Sequence, residues 1–199
     1  MKVWGLTGGI GMGKSTAARV FRSHRIPVFD ADEAVHALQA KGGAAVWPIE
    51  REFPGTVRDG AVNREALRRA VLPDPAALTR LERIVHPLVR RAEARFLARA
   101  RAQRAKAAVL DIPLLFETRK TRESLLPFDA IFVVSAPAEV QAQRVLRRPG
   151  MTPARLEAIR ARQMPDAEKR RRATYVVRTG LSRFHTVAQL RRLLREEGL

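Results

Sequence analysis

The residues best placed to do chemistry lie near the start of the chain. Gly8-Gly9-Ile10-Gly11-Met12-Gly13-Lys14-Ser15 fits the pattern G-x-x-x-x-G-K-[ST]. Glycines let backbone N–H groups curl round phosphate oxygens with no Cβ in the way, and a helix starting at Lys14 adds its positive end. On that chemistry Gly9, Ile10, Gly11, Met12, Gly13, Lys14, Ser15 and Thr16 are the expected binders of nucleoside triphosphate phosphates. Lys14 reaches the β- and γ-phosphates, and the Ser15 hydroxyl is the expected Mg²⁺ ligand. Asp30-Ala31-Asp32 offers carboxylates that could accept the proton of an attacking hydroxyl or hold Mg²⁺ through water. Helix capping accounts for one of these Asp residues. The other is expected to serve one of those two roles, with Asp32 preferred. Asp111 closes the apolar run Ala108-Val109-Leu110 and is either a further Mg²⁺ partner or an ordinary strand end turning into Pro113. Arg144 and Arg148 stand four apart, so both guanidinium groups could meet the same phosphates. In a chain with 32 Arg, such a pair is also what a solvated helix face looks like.

The elements that must position these groups can be read from periodicity and punctuation. Val3 to Thr7 is a buried strand running into Gly8-Gly9. Lys14 to His24 is helical, with Ala17, Ala18, Val20 and Phe21 on or near one face. Ile26 to Phe29 is a second strand ending at Asp30. Strand, helix, strand within about 30 residues is a βαβ unit with parallel pairing and a right-handed crossover. In open parallel sheets, ligands gather outside the carboxyl ends of the strands, which is where both the glycine-rich loop and Asp30 to Asp32 fall.

Glu33 to Lys106 reads as mostly helical and without strands. Phe53-Pro54-Gly55 and Asp59-Gly60 are turns, Asn63 is a helix cap, and Asp74-Pro75 opens a further helix that His86-Pro87 interrupts. Ala107 to Ile112 and Ala130 to Ser135 are the next strands. A helix with Pro137 at its first position runs through Leu146, Thr152-Pro153 opens another, and Thr174 to Val177 is a short last strand. Thr186 with Gln189 three residues later reads as the capping box of the final helix. The fold class is therefore α/β, with about five mostly parallel strands and a helical insertion.

Composition excludes whole classes of function. The 199 residues include no Cys, so disulfides, thiolate catalysis and Cys-ligated metals are ruled out. Four His without metal-site spacing argue against catalytic zinc. No apolar run reaches the roughly 18 residues of a membrane span, and Met1 to Trp4 leads straight into a structured motif, so neither a membrane partner nor a leader peptide is expected. The net charge of +18 points to polyanionic partners, over a background of Arg enrichment that base composition could explain. The segment 80–106 holds nine basic and two acidic residues, and 144–172 holds ten and three. One Tyr and two Trp offer few base-stacking aromatics, so nucleic acid is not an expected partner. A nucleic-acid-binding NTPase and a P-loop kinase for another nucleotide or alcohol are the competing readings.

Several blocks together resemble the dephospho-CoA kinase family. They are Leu6-Thr7-Gly8-Gly9-Ile10-Gly11-Met12-Gly13-Lys14-Ser15-Thr16, Asp30-Ala31-Asp32, His86-Pro87-Leu88-Val89, Ile112-Pro113-Leu114-Leu115-Phe116-Glu117, Gln141 to Arg148, and Gln163-Met164-Pro165 with Lys169. They occur in family order over nearly the whole chain. The resemblance implies a cytoplasmic enzyme with a P-loop NTPase core that transfers phosphate from ATP, with Mg²⁺, to the ribose 3′-hydroxyl of dephospho-CoA. That would be the last step of coenzyme A synthesis. It implies a nucleotide-binding core at 1–32, 107–143 and 173–199, a helical acceptor-binding domain at 33–106, and a small helical lid at 144–172.

By the same resemblance Asp32 is the base, and Lys14 and Arg144 act with it in catalysis. Arg144 and Arg148 become phosphate contacts, and Thr179 and Gly180 contact adenine. Thr7, Asp32, His86, Pro113, Leu114, Leu115 and Glu117 meet the acceptor. Three positions depart from the family pattern. Met12 stands where relatives often carry Ser, and its side chain is expected to point away from the phosphates. Pro149 replaces an acidic residue, which would stiffen the lid hinge. Arg178-Thr179-Gly180 stands where many relatives have Asn before Gly.

Overall fold

A computed structural model describes residues 1–118 and 128–199. In chain order the elements are β1 (Lys2–Thr7), α1 (Lys14–Ser23), β2 (Val28–Asp30), α2 (Ala31–Gln39), α3 (Val46–Glu52), β3 (Val57–Arg58), β4 (Ala61–Val62), α4 (Arg64–Val71) and α5 (Pro75–Ala102). Then come β5 (Ala107–Asp111), α6 (Leu115–Thr118), β6 (Ala130–Ser135), α7 (Ala138–Leu146), α8 (Pro153–Arg162), α9 (Asp166–Arg172), β7 (Tyr175–Arg178) and α10 (Arg183–Glu196). They fall into two compact units, one of Met1–Phe29 with Ala100–Leu199 and one of Asp30–Arg99. Residues 144–172, the expected lid, belong to the first unit.

The first unit is built on a five-stranded sheet in the order β2-β5-β1-β6-β7. The pairs β1–β5, β1–β6 and β6–β7 are parallel, with Leu6 opposite Asp111 in one register and Leu6 opposite Phe132 in the other. The chain leaves β1 toward one edge of the sheet and leaves β6 toward the other, so the loop after β1 opens at a topological switch point. Every residue of β5 and β6 is buried, as expected of parallel strands covered on both faces. Alternate residues serve different cores. Ala130, Phe132 and Val134 join Trp4, Leu6 and the buried residues of α1 and α10 on one face. Ile131 and Val133 pack with Leu115 and Phe116 on the other. Met12 is buried in the first of these clusters.

The second unit has its own core of Ala45, Val46, Ile49, Phe53, Val62, Leu67, Val71, Ala77 and Val85. Here the structure departs from the sequence reading in two ways. The stretch expected to lack strands contains the antiparallel hairpin β3–β4, closed by Asp59 and Gly60, both at positive φ. This is the Asp-Gly turn chemistry of a tight hairpin, with strands too short to show an alternating pattern. The helix expected to break at His86-Pro87 instead runs unbroken through Pro87 as α5. Proline inside a helix costs about 3 kcal/mol through a lost hydrogen bond and a clash with the preceding turn. Leu81, Ile84, Leu88 and Val89 pack on the unit's core on both sides of Pro87, and that burial carries the helix through.

The final helix also starts earlier than the capping-box pattern suggests. Ser182 caps it by accepting from His185 N–H, Thr186 is buried inside it, and Gln189 bonds the backbone of Val176 and Arg178 in β7. Smaller shifts occur elsewhere. Pro137 is the N-cap of α7 rather than its first residue, and β7 lies one residue later than expected. Asn63 and Thr152 cap α4 and α8, and Asp74 accepts from Ala76 N–H at the start of α5.

Candidate functional site

The loop between β1 and α1 carries the expected chemistry. Gly11 and Gly13 have φ of 73° and 88°, in the left-handed region that side chains rarely adopt. At Gly11 a Cβ would also lie 2.5 Å from Val145 of α7, so the neighbouring helix demands glycine there independently of any phosphate. Gly13 precedes α1 without a side-chain cap, which leaves the first N–H groups of that helix for an anion. Lys14 Nζ lies 2.5 Å from Asp111 Oδ1, with the carboxylate almost wholly buried at the end of β5. The parallel register that sets Leu6 beside Asp111 puts this acid next to the loop. Ser15, in the first turn of α1, is exposed.

Residues from distant parts of the first unit grip the loop from outside. Gln141 Nε2 donates to Ile10 O at 2.8 Å, and its Oε1 accepts from Arg160 Nη2 at 2.7 Å. Gln163 Oε1 accepts from Ile10 N–H at 3.1 Å. Arg144 Nη1 reaches Gly11 O at 3.4 Å and Thr179 Oγ1 at 3.2 Å, and its Nη2 donates to Thr179 O at 2.5 Å. Arg148 is exposed just beyond α7. Gly180 packs close to Pro137, where a Cβ would come within 2.4 Å. A cleft of about 950 Å³ opens beside the loop, lined by Gly9 and Met12 on one side and by Ser135, Gln163 and Lys169 among others.

The segment after β5 is built largely from beneath. Thr7 is buried and donates its hydroxyl to Pro113 O at 3.0 Å. Leu115 is fully buried in the core, whereas Leu114 is 39% exposed. Glu117 Oε1 accepts from Met164 N–H and pairs with the buried Lys169 ammonium, both at 2.8 Å. Sequence reasoning did not assign this buried pair. Its signal was a charged residue in each of two short helices, which only packing brings together.

In the second unit, Asp30 and Asp32 part company. Asp30 Oδ1 accepts from Asp32 N–H and Glu33 N–H at 3.0 and 3.1 Å, so one carboxylate performs the capping of α2. The Asp32 side chain is exposed in the first turn. His36, one turn further along α2, takes a hydrogen bond at Nε2 from Arg64 Nη1 at 2.9 Å, because guanidinium only donates. His86 is half-buried on α5, next to Pro87.

Fold and loop together define a P-loop kinase. Comparison with known proteins narrows the class. The sequence profile described as dephospho-CoA kinase matches residues 2–182. A dephospho-CoA kinase from Paramagnetospirillum magneticum is 60% identical over 170 residues, which is 85% of this chain and 78% of the relative. Among solved structures, TT1252 from Thermus thermophilus is 37% identical at a TM-score of 0.83, covering 98% of this chain and 97% of the other. The dephospho-CoA kinase from Campylobacter jejuni shares the fold at a TM-score of 0.71 and 22% identity, over 98% and 97% of the two chains. The chain belongs to the dephospho-CoA kinase family. Its reaction is the ATP-dependent phosphorylation of an alcohol group of dephospho-CoA, within coenzyme A biosynthesis. Among the described residues, no helix is long and apolar enough to cross a membrane.

Proposed function

We propose that the acceptor atom is the ribose 3′-hydroxyl of dephospho-CoA, that Asp32 takes its proton, and that the reaction completes coenzyme A in the cytoplasm. The observation that carries the base assignment is the division of labour in Asp30-Ala31-Asp32. Asp30 alone caps α2, which leaves the Asp32 carboxylate exposed with both oxygens available for chemistry. ATP phosphates lie in the loop from Gly9 to Thr16, and Lys14 exchanges its Asp111 partner for phosphate oxygens as they arrive.

Oxygen donors suit Mg²⁺, which takes one or two protein ligands and fills the rest of its shell with phosphates and water. The Ser15 hydroxyl would hold the ion, with Asp111 as the nearby acid, and the ion supplies charge neutralisation at the phosphates.

The helical region at 33–106 serves the acceptor, with His86 contributing, and 144–172 acts as a lid that excludes water. Pro113 and Leu114 meet the acceptor, while Thr7, Leu115 and Glu117 shape that wall from beneath. Arg148 is a phosphate contact of the lid, and Gly180 lets adenine approach the backbone. The net +7 in each of the segments 80–106 and 144–172 favours two polyphosphate ligands.

The test is CoA formation from ATP, Mg²⁺ and dephospho-CoA, followed by mass spectrometry that locates the new phosphate. General-base help is worth about 10²–10⁴-fold, so Asp32→Asn is expected to lose turnover on that scale while ATP affinity holds. Near-normal turnover in Asp32→Asn would remove it from the base role. Phosphate on another hydroxyl would refute the acceptor assignment.

A further inference from the structure

The sequence resemblance gives Thr179 to adenine, yet its polar groups are engaged elsewhere. Thr179 N–H donates to Ser135 O at 2.8 Å, and its carbonyl accepts from Arg144 Nη2. Its hydroxyl donates to Met12 O at 2.7 Å while accepting from Arg144 Nη1. The residue is 3% exposed, and it lies so close to Gly13 that a Cβ there would be 3.2 Å from the hydroxyl oxygen. We propose that Thr179 is a positioning residue for ATP: with Gln141 and Arg144 it holds the carbonyls of Ile10, Gly11 and Met12 outward, so that the loop is shaped for phosphate before ATP binds.

The argument rests on peptide geometry. In a trans peptide plane the C=O of one residue and the N–H of the next point in opposite directions. Gln141 takes Ile10 O, Arg144 reaches Gly11 O, and Thr179 takes Met12 O. Three consecutive carbonyls are thus held from outside by donors from α7 and from the end of β7. Fixing Ile10 O and Met12 O outward sets the N–H groups of Gly11 and Gly13 toward the loop interior. Met12 N–H, between them, closes a turn onto Gly9 O at 3.2 Å. The loop's glycines are flexible by themselves, and ordering them at the moment of binding would cost affinity. External donors meet that cost during folding. Arg144 thereby has a second duty beyond phosphate contact, because it is braced by both the hydroxyl and the carbonyl of Thr179.

This inference rests on the reading that ATP phosphates occupy the loop. Lys14→Ala tests that reading separately, because it should weaken ATP binding whatever Thr179 does. The deciding measurement is the affinity for ATP, by calorimetry on the acceptor-free enzyme, alongside KM for dephospho-CoA. Thr179→Val keeps the shape and removes the hydroxyl. It is expected to weaken ATP binding about 10-fold, the scale of one lost hydrogen bond with its acceptor left buried. KM for dephospho-CoA should stay within about twofold, since no acceptor group is touched. Thr179→Ser restores the hydroxyl and should return ATP affinity to within about twofold of the original.

Unchanged ATP affinity in Thr179→Val would overturn the proposal. So would a Ser variant as weak as Val, or parallel losses for both substrates. If Thr179→Val does not fold, Gln141→Met decides in its place. It removes the donor to Ile10 O and must show the same ATP-selective loss, and its absence likewise overturns the proposal.

Discussion

The two units present their chemistry in opposite ways. In the first, several groups at the phosphate loop are held by other elements. Lys14 is paired with a buried Asp111, the loop carbonyls are gripped by Gln141, Arg144 and Thr179, and Gly11 is fitted against Val145. In the second, Asp32 is exposed on a short helix whose cap is another residue, and α2 contributes no buried side chain at all. A site for a charge-dense ligand is costly to order, and the loop proposed to hold one is built into core contacts. A single carboxylate proposed to meet a hydroxyl needs only placement and freedom to reach it.

The contrast can be broken most directly by exchanging the kinds of loss. Lys14→Ala removes the loop's point charge and should lower kcat/KM on the order of 10³-fold or more, with ATP affinity falling too. Asp32→Asn should reduce kcat alone. Equal effects of the two variants on ATP affinity would show that the units are not specialised in this way.

The buried Lys169–Glu117 pair sharpens the comparison on the stability side. Removing one member of a buried pair leaves a charge without compensation and typically costs about 3–5 kcal/mol. Lys169 is 1% exposed, so Lys169→Met should lower the unfolding midpoint by about 6–20 °C for a chain of this size. The double variant with Glu117→Gln should regain much of that. A loss smaller than about 1 kcal/mol in denaturant titration would mean that the pair is solvated in solution.

The smallest effect concerns Lys2, Tyr175 and Glu197, which join β1, β7 and α10 in the first unit. Hydrogen bonds from Lys2 and Tyr175 hold the Glu197 carboxyl below its ordinary range. The Tyr175 phenol is pushed up to about 12 by its bond to Glu197, with burial adding to the effect. The depressed carboxyl contributes stability that is present above pH 4.5 and lost as pH falls through its folded value. The raised phenol contributes stability that is complete below pH 10.0 and lost on the way to about 12. Melting curves of Glu197→Gln should therefore be flatter than the original on both limbs. Identical pH profiles would remove the cluster from the stability account.

Much of this molecule was legible in its residues. The glycine-rich pattern located the phosphate loop because its chemistry is local: glycine conformation, a helix start and one Lys lie within eight positions. The five sheet strands were legible as short apolar runs bounded by turn residues. Helix ends were less so. Pro87 reads as a break because proline's cost is local, while the packing that overrides it comes from Leu67, Val71 and Phe53, far away in sequence. The box at Thr186 and Gln189 looked like a cap, but Thr186 is buried inside the helix and Gln189 serves β7.

By itself, the sequence determined the fold class, the phosphate loop and the acid pair after β2, because each is encoded in neighbouring residues or in a short period. Only the tertiary structure decided that Asp111 holds Lys14, and that Thr179 and Gln141 reach loop carbonyls more than 130 positions away. Hydrogen bonds of this kind depend on how strands and helices stack. That information resides in the summed packing of the core rather than in any local stretch of chain.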